Sequence, residues 1–548
     1  MKWHKLLSTF DRHILTLCTL VLLVIIPLYP KIPFIRIHDT YIAIRLEDFY
    51  VALMGVVFVI QFLRRKIQWH RQFTLLFFLF WSSVFISLFF NIFVSQVITF
   101  RNIGFLHALR RVEYMFPFFV AFAAVQIELL HVRGADSHKR ILMKFLNVSI
   151  WVTLLVSLYA LGQKSSILFQ PVRDVFEWMS VNSYGFMKDV GYFFFRFFDF
   201  PAVQTMNAEF AKGHLLKLTP ESRVSATFAG HYDLAAYLVF LIPIVAASIS
   251  YTTHKIRGIF VYILAITTLI LTASRISFGA FVFSITLYFV FTRKWRGLVL
   301  TALLTFVLLL MSRDMTNRFM DMFQKTRVFE NVQTGAEIIN QEIEVTTLPA
   351  GSHFVVQGGS APVVSEKDKK DLQKQLVKKE IEEAKKSGRV ITEEDAIRLV
   401  NEKYKEFQSF VAKDVVAGDT SLATRTQVEW PRAWRAFLAN PILGTGPSSL
   451  TESTDGDYFR WFGEMGALGA LLFMGILALI GKTMVSAIKN HTQDVLIIAG
   501  FCAGFIALLV NAILIDVFEA SKVAFIFWTI TGLYIGIFST SHTHSKHA

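Results

Sequence analysis

Four short segments hold residues whose types and spacing could do chemistry. The first runs Arg223-Val224-Ser225-Ala226-Thr227-Phe228-Ala229-Gly230-His231-Tyr232-Asp233 straight into Leu234-Ala235-Ala236-Tyr237-Leu238. It crowds an arginine, a threonine, a histidine and an aspartate at one helix entrance. The second, Thr272-Ala273-Ser274-Arg275-Ile276-Ser277-Phe278-Gly279, sets one arginine between two apolar runs. The third joins Arg425-Thr426-Gln427-Val428-Glu429-Trp430 to Asn440-Pro441-Ile442-Leu443-Gly444-Thr445-Gly446-Pro447. Arg425, Glu429 and Arg432 have the spacing of one helix face. The fourth is Asp455-Gly456-Asp457-Tyr458-Phe459-Arg460-Trp461-Phe462-Gly463-Glu464-Met465-Gly466. Guanidinium groups can fork onto phosphate oxygens, and a histidine or carboxylate can take a proton. The same residues could instead be interfacial anchors, a turn marker and acids at a helix N-terminus.

Several other chemistries are excluded. Gly444 and Gly446 allow a tight loop, but they do not follow a strand and open a helix, so a dinucleotide site is rejected. No Cys/His set has zinc spacing. No phosphate-binding G-x-x-x-x-G-K-[ST] run occurs, so ATP-driven transport by this chain is not expected. Asp455 and Asp457 could hold a divalent ion between their oxygens, although that spacing is common.

Such charges need elements to position them, and composition says what those elements are. Of 548 residues 54% are hydrophobic and only 18% charged, with 55 phenylalanines. Mean hydropathy is +0.49. A water-facing surface needs about a quarter charged residues, so a soluble or disordered chain is excluded. Apolar runs near 20 residues predict about twelve transmembrane helices, near 13–29, 47–63, 73–95, 112–130, 141–162, 231–250, 257–273, 276–292, 297–312, 462–480, 495–515 and 522–540. The expected fold is an all-α integral membrane protein.

The net charge of +14 is read as orientation rather than nucleic-acid binding. With the N-terminus in the cytoplasm, alternate short loops carry Arg64, Arg65, Lys66 and Arg71; Arg133, Lys139 and Arg140; Lys255 and Arg257; Arg293, Lys294 and Arg296; and Lys482 and Lys489. The C-terminal tail then lies inside as well. Arg101, Arg110 and Arg111 resist this scheme by falling outside. The apolar run after Arg12 lacks a small-residue cleavage site and reads as a retained first helix. Cys18 and Cys502 sit in apolar runs, so no outer disulfide is expected.

The expected organisation is helices 1–5 over 1–162, a long outer loop over 163–229, helices 6–9 over 230–312, a large outer loop over 313–461 and helices 10–12 with the tail over 462–548. The first loop carries Trp178 and the Phe193–Phe198 run, which suits the headgroup region. The second carries an insertion at about 330–420, with loop or short strand at 345–365 and a solvated helical stretch from Glu366 to Phe407. Thr392-Glu393-Glu394-Asp395 reads as its helix start.

Taken in order, the four segments resemble the bacterial O-antigen ligase and O-antigen polymerase superfamily, over roughly residues 220–485. The resemblance rests on Ala226-Thr227-Phe228 leading to Leu234–Leu238, Ser274-Arg275 with Gly279, Arg425…Trp430…Pro441–Gly446, and Asp457-Tyr458-Phe459 leading to Glu464-Met465-Gly466-Ala467-Leu468-Gly469. The insertion at 330–420 departs from a typical member. The family implies a multi-pass glycosyltransferase of the cell (inner) membrane that needs no nucleotide sugar and no cofactor. Its donor is a glycan on undecaprenyl diphosphate at the outer leaflet, and its acceptor a glycolipid or protein hydroxyl. Polymerases use another lipid-linked repeat as acceptor.

By this resemblance Arg275 and Arg425 match arginines that hold the diphosphate, with Arg223 a third. Arginine clamping would remove the need for a metal, and attack from the opposite face would invert the anomeric carbon. Family ligases commonly place a histidine where this chain has Asp455, just before Asp457. Asp455 is the expected base, Asp457 the neighbour that raises its basicity, and His231 the alternative. Rival readings are a repeat-unit polymerase, a transporter or flippase of lipid-linked sugar, and a metal-dependent oligosaccharyltransferase using Asp455 and Asp457.

Overall fold

A computed structural model describes residues 2–32, 34–36, 43–64, 67, 69–98, 104–131, 137–168, 170–185, 187–188, 190, 202–204, 214–216, 223–252, 254–312, 315–316, 325–331, 337–339, 374, 377–378, 380–381, 384, 392–403, 410–416, 425–450 and 454–539. The chain divides into two units, residues 1–316 with 430–548, and residues 317–429.

The first unit is a helical bundle, as long apolar runs require, because a helix satisfies its own backbone in hydrocarbon. In chain order it holds α1 (Lys2–Leu28), a two-residue hairpin of β1 (Ile35–Arg36) and β2 (Ala43–Ile44), α2 (Leu46–Leu63) and α3 (Arg71–Phe93). Next come α4 (Gly104–Met115), α5 (Pro117–His131), α6 (Ser137–Leu168) and α7 (Gln170–Asn182). A small hairpin, β3 (Ala202–Gln204) with β4 (His214–Leu216), precedes α8 (His231–Ser248), α9 (Lys255–Leu271), α10 (Arg275–Phe291) and α11 (Trp295–Met311).

The second unit holds β5 (Lys325–Asn331), β6 (Glu337–Ile339), α12 (Glu393–Lys403) and β7 (Phe410–Val416), and ends in a π-helical turn, Arg425–Glu429. Its strands form an antiparallel sheet of order β6-β5-β7. Thr392 caps α12 as expected, its hydroxyl accepting the Asp395 N–H at 3.2 Å and donating to the Asp395 carboxylate at 2.6 Å. The 345–365 stretch and the Phe193–Phe198 run lie outside the described residues.

The first unit resumes with α13 (Trp430–Ala439), α14 (Asp457–Asn490), α15 (Val495–Asn511) and α16 (Ser521–Phe538). Among the described residues eight helices are long and apolar enough to cross a membrane, and three shorter ones, His13–Leu28, Arg275–Phe291 and Trp295–Met311, are apolar. The chain is an integral membrane protein, helical where it crosses; the short strands sit between helices.

Two sequence boundaries move. The expected span at 112–130 is one long run, Gly104–His131, broken at Phe116 because Pro117 opens a new helix. The span expected at 462–480 begins earlier, at Asp457.

Close packing centres on α16, whose residues from Ser521 to Phe538 are all buried. Without water to drive helices together in lipid, small residues let backbones approach. A Cβ on Gly532 would come 2.3 Å from the Phe118 carbonyl oxygen of α5, and one on Gly504 would come 2.2 Å from that of Phe240 in α8. Each glycine has a partner four residues away, Gly536 and Gly500.

Candidate functional site at one end of the bundle

The segment before α8 is pinned from three directions. Gln163 accepts the Ser225 and Ala226 N–H groups at 3.2 and 2.8 Å and donates to the Ala226 carbonyl at 3.0 Å. That grip holds Ala226 at φ 48°. Thr227 donates its hydroxyl to the Pro27 carbonyl. The buried Lys522 donates to the Thr227 carbonyl at 2.7 Å and stands 4.8 Å from the Phe228 ring centre. On this support Arg223 Nη1 donates to His231 Nε2 at 2.8 Å. Asp233 pairs with Lys31 at 3.3 Å. Burial pulls the Lys31 ammonium below its ordinary pKa, with Asp233 opposing.

Arg275 opens α10 directly after a tight hairpin in which Ala273 takes φ 49°. Ser274 donates to Ser277 at 2.9 Å, and Ser277 donates to Asn511 at 3.1 Å. This chain of hydroxyls ties the hairpin to the end of α15. Arg275 itself is half-buried.

The start of α14 is clasped by the loop between α15 and α16. The Asp457 N–H donates to the Ala512 carbonyl at 3.0 Å. Its carboxylate Oδ2 accepts the Val517 and Phe518 N–H groups at 2.7 and 3.1 Å. Gly456 sits at φ 102°, where a Cβ would lie 2.7 Å from the Ile513 carbonyl oxygen. Asp457 is therefore a fully buried clamp, while Asp455 is half-buried at the surface. The Trp430 indole donates to the Asp455 carbonyl at 3.2 Å and stacks on Phe459 at 4.3 Å.

The clasp assembles ion pairs that the sequence reading did not connect. Arg460 pairs with Asp516 at 2.8 Å and donates to the Thr454 carbonyl at 3.2 and 2.7 Å. Arg111 bonds Glu519 at 2.8 Å and also Glu464. Burial pushes the Asp516 carboxyl up to about 8; Arg460 opposes this, and Asp455, Glu519 and Glu464 add to it. Glu519 is buried too, but Arg111 and Arg460 hold its carboxyl below the ordinary value. Arg111, which resisted the charge alternation, is thus a buried structural cation. Among the described residues no three potential metal ligands converge.

These bonds gather the start of α8, the α9–α10 hairpin and the start of α14 at one end of the first unit. Arg223, His231, Arg275, Asp455 and Asp457 all belong to that end. Arg425 opens the π-helical turn that closes the second unit. The Arg425–Glu429 segment is a π turn, wider than an α turn, and the α-helix begins at Trp430. Asp516 and Glu519 escaped the sequence reading, and Arg460 stood in the fourth segment without an assigned role. The visible signal was an acidic pair, Asp516 and Glu519, between two apolar runs.

The fold and this charged end define a multi-pass membrane protein with a polar mouth. Residues 260–474 match the family model described as O-antigen ligase, a likeness that supports the O-antigen ligase and polymerase superfamily for this stretch. The matched stretch contains Arg275, Arg425, Asp455 and Asp457, and lies beyond Arg223 and His231. No curated protein and no solved structure matches the chain.

Proposed function

We propose that the protein transfers a glycan from undecaprenyl diphosphate to an acceptor hydroxyl at the outer leaflet, as an O-antigen ligase. The observation that carries this reading is the family match over residues 260–474, which includes the arginine at the head of α10. In this reading the N-terminus is cytoplasmic and the polar mouth faces outward. Arg275 and Arg425 hold the donor diphosphate, joined by Arg223. The acceptor oxygen attacks the anomeric carbon from the face opposite the phosphate. As the new C–O bond forms, the bond to phosphate breaks, and the diphosphate leaves with its electron pair. Guanidinium groups stabilise the charge that gathers there. Asp455 takes the acceptor proton, and Asp457 fixes the backbone that presents it. The polymerase reading is favoured by one feature, the aspartate at position 455 where ligases commonly carry histidine.

The test incubates purified protein with lipid-linked glycan and candidate acceptors and sizes the products. One transferred glycan supports the ligase, a ladder on lipid supports the polymerase, and unchanged donor overturns both. Arg275→Ala and Arg425→Ala should each remove most transfer at matched membrane abundance, with Arg275→Lys restoring only part. Asp455→Asn should slow transfer by about 10²-fold or more, the scale of a lost general base. His231→Ala active beside Asp455→Asn inactive fits the assignment; the reverse moves the base to α8. Activity retained in excess EDTA supports the metal-independent route, and loss with rescue by a divalent ion overturns it.

A further inference from the structure

Residues 430–446 fall within the large outer loop expected over 313–461. Their contacts run along α14. Trp430 lies level with the start of α14, bonded to the Asp455 carbonyl and stacked on Phe459. Phe437 packs on Phe462 at 5.6 Å. Farther on, the Ala467 and Leu468 N–H groups donate to the Pro441 and Ile442 carbonyls at 2.8 and 3.1 Å. α13 therefore runs beside α14 in the same direction, from its mouth to the kink at Gly466. The chain then returns, with the Thr445 and Gly446 N–H groups donating to the Gly463 and Glu464 carbonyls at 3.0 and 2.9 Å. Ile442 thus reaches about 15 Å along α14 at 1.5 Å per residue.

α3 provides an independent depth marker. Ser87 donates to the Leu443 carbonyl at 2.5 Å and Asn91 to the Gly444 carbonyl at 3.0 Å. Ser87 lies six residues before Phe93, the end of α3, and so about 9 Å inside it. Irregular backbone at membrane depth is tolerated only where protein satisfies its polar groups. These bonds do so, and they account for polar residues within the apolar α3.

The outward stripe of this segment is apolar. Trp434, Leu438 and Ile442 follow one another at helical spacing and are 51%, 58% and 67% exposed. The stripe is continuous with the exposed apolar Leu468 and Leu471 of α14. Arg435 bends back a turn to donate to the Pro431 carbonyl at 3.3 Å, turning its charge toward the mouth.

We propose that residues 430–446 form a re-entrant element inserted into the membrane leaflet at the polar mouth, with Trp434, Leu438 and Ile442 against lipid acyl chains. The insertion holds whether or not the protein transfers glycans. Its test uses single nitroxide labels at Trp434, Leu438, Ile442 and, as a lipid-facing reference, Leu471. The background is Cys18→Ala/Cys502→Ala, reconstituted in phosphatidylcholine vesicles. Collision with oxygen relative to a water-soluble nickel chelate should rise from 434 to 438 to 442, with 442 near the Leu471 value. Equal nickel access at all three labels would put the segment in water and overturn the proposal. Low collision with both reagents would mean protein covers the stripe, which overturns it equally. All four labels replace exposed side chains, and monodisperse elution before reconstitution shows that each variant is folded.

Discussion

At the scale of single residues, the mouth contains groups whose first task is to hold the structure. Asp457 is one of them. Asp457→Ala would strand the buried Val517 and Phe518 N–H groups at about 1–3 kcal/mol each. A clear fall in the melting temperature of purified protein is expected. Asp516 makes a separate pH prediction. An ordinary aspartate titrates near 3.9, and this one is raised to about 8 in the fold. Between those values the folded protein holds a proton that the unfolded chain has released, so stability falls as pH rises through that window. Asp516→Asn cannot ionise. Its melting temperature relative to the parent should climb from pH 5 to pH 8.5, and a flat difference would show that the carboxyl is ionised throughout. Arg275 and Asp455 were legible because each stands beside an apolar run where charge is costly. Asp516 was not, because only the folding of the 512–520 loop onto α14 reveals its partners.

At the scale of elements, the kink in α14 governs the site's geometry. Gly466 has φ 62°, and a Cβ there would come 2.4 Å from the Ile442 carbonyl oxygen. The broken helix exposes carbonyls at 463 and 464 and N–H groups at 467 and 468, all of which the 441–446 segment satisfies. Gly466→Ala therefore combines backbone strain of about 1–3 kcal/mol with a steric clash and should cost most of the folded protein. Gly279→Ala, which meets nothing within 4 Å, should leave yield and melting unchanged or improved. Both glycines stand in segments that carried the family resemblance, yet sequence does not tell them apart. The difference lies in backbone from another segment, which local periodicity cannot report. The start of α12 was legible for the opposite reason, since Thr392 caps with a residue three positions on.

At the scale of the whole molecule, spans were legible because hydrocarbon imposes length and composition on any segment that crosses it. Their partners were not, since one lipid-like face resembles another. The remaining claim at this scale is orientation. Tyr184 is exposed after α7, and Lys489 is exposed at the far end of α14. In a background without Cys18 and Cys502, Tyr184→Cys should react with an impermeant thiol reagent in intact cells, and Lys489→Cys only after lysis. The inverse pattern would turn the polar mouth toward the cytoplasm and remove the proposed donor from reach.

The complete burial of Ser521–Phe538 bears on how the protein is made. Every helix that encloses this segment, among them α1, α5, α8 and α14, is synthesised before it. A nascent chain halted before residue 521 has nothing to close around. Burial of α16 is thus complete only after its own synthesis. Lys522 arrives with it and reaches the Thr227 carbonyl only at that moment. The segment that carries Arg223 and His231 thus acquires the Lys522 support only once α16 has been made, and a chain halted before residue 521 lacks it.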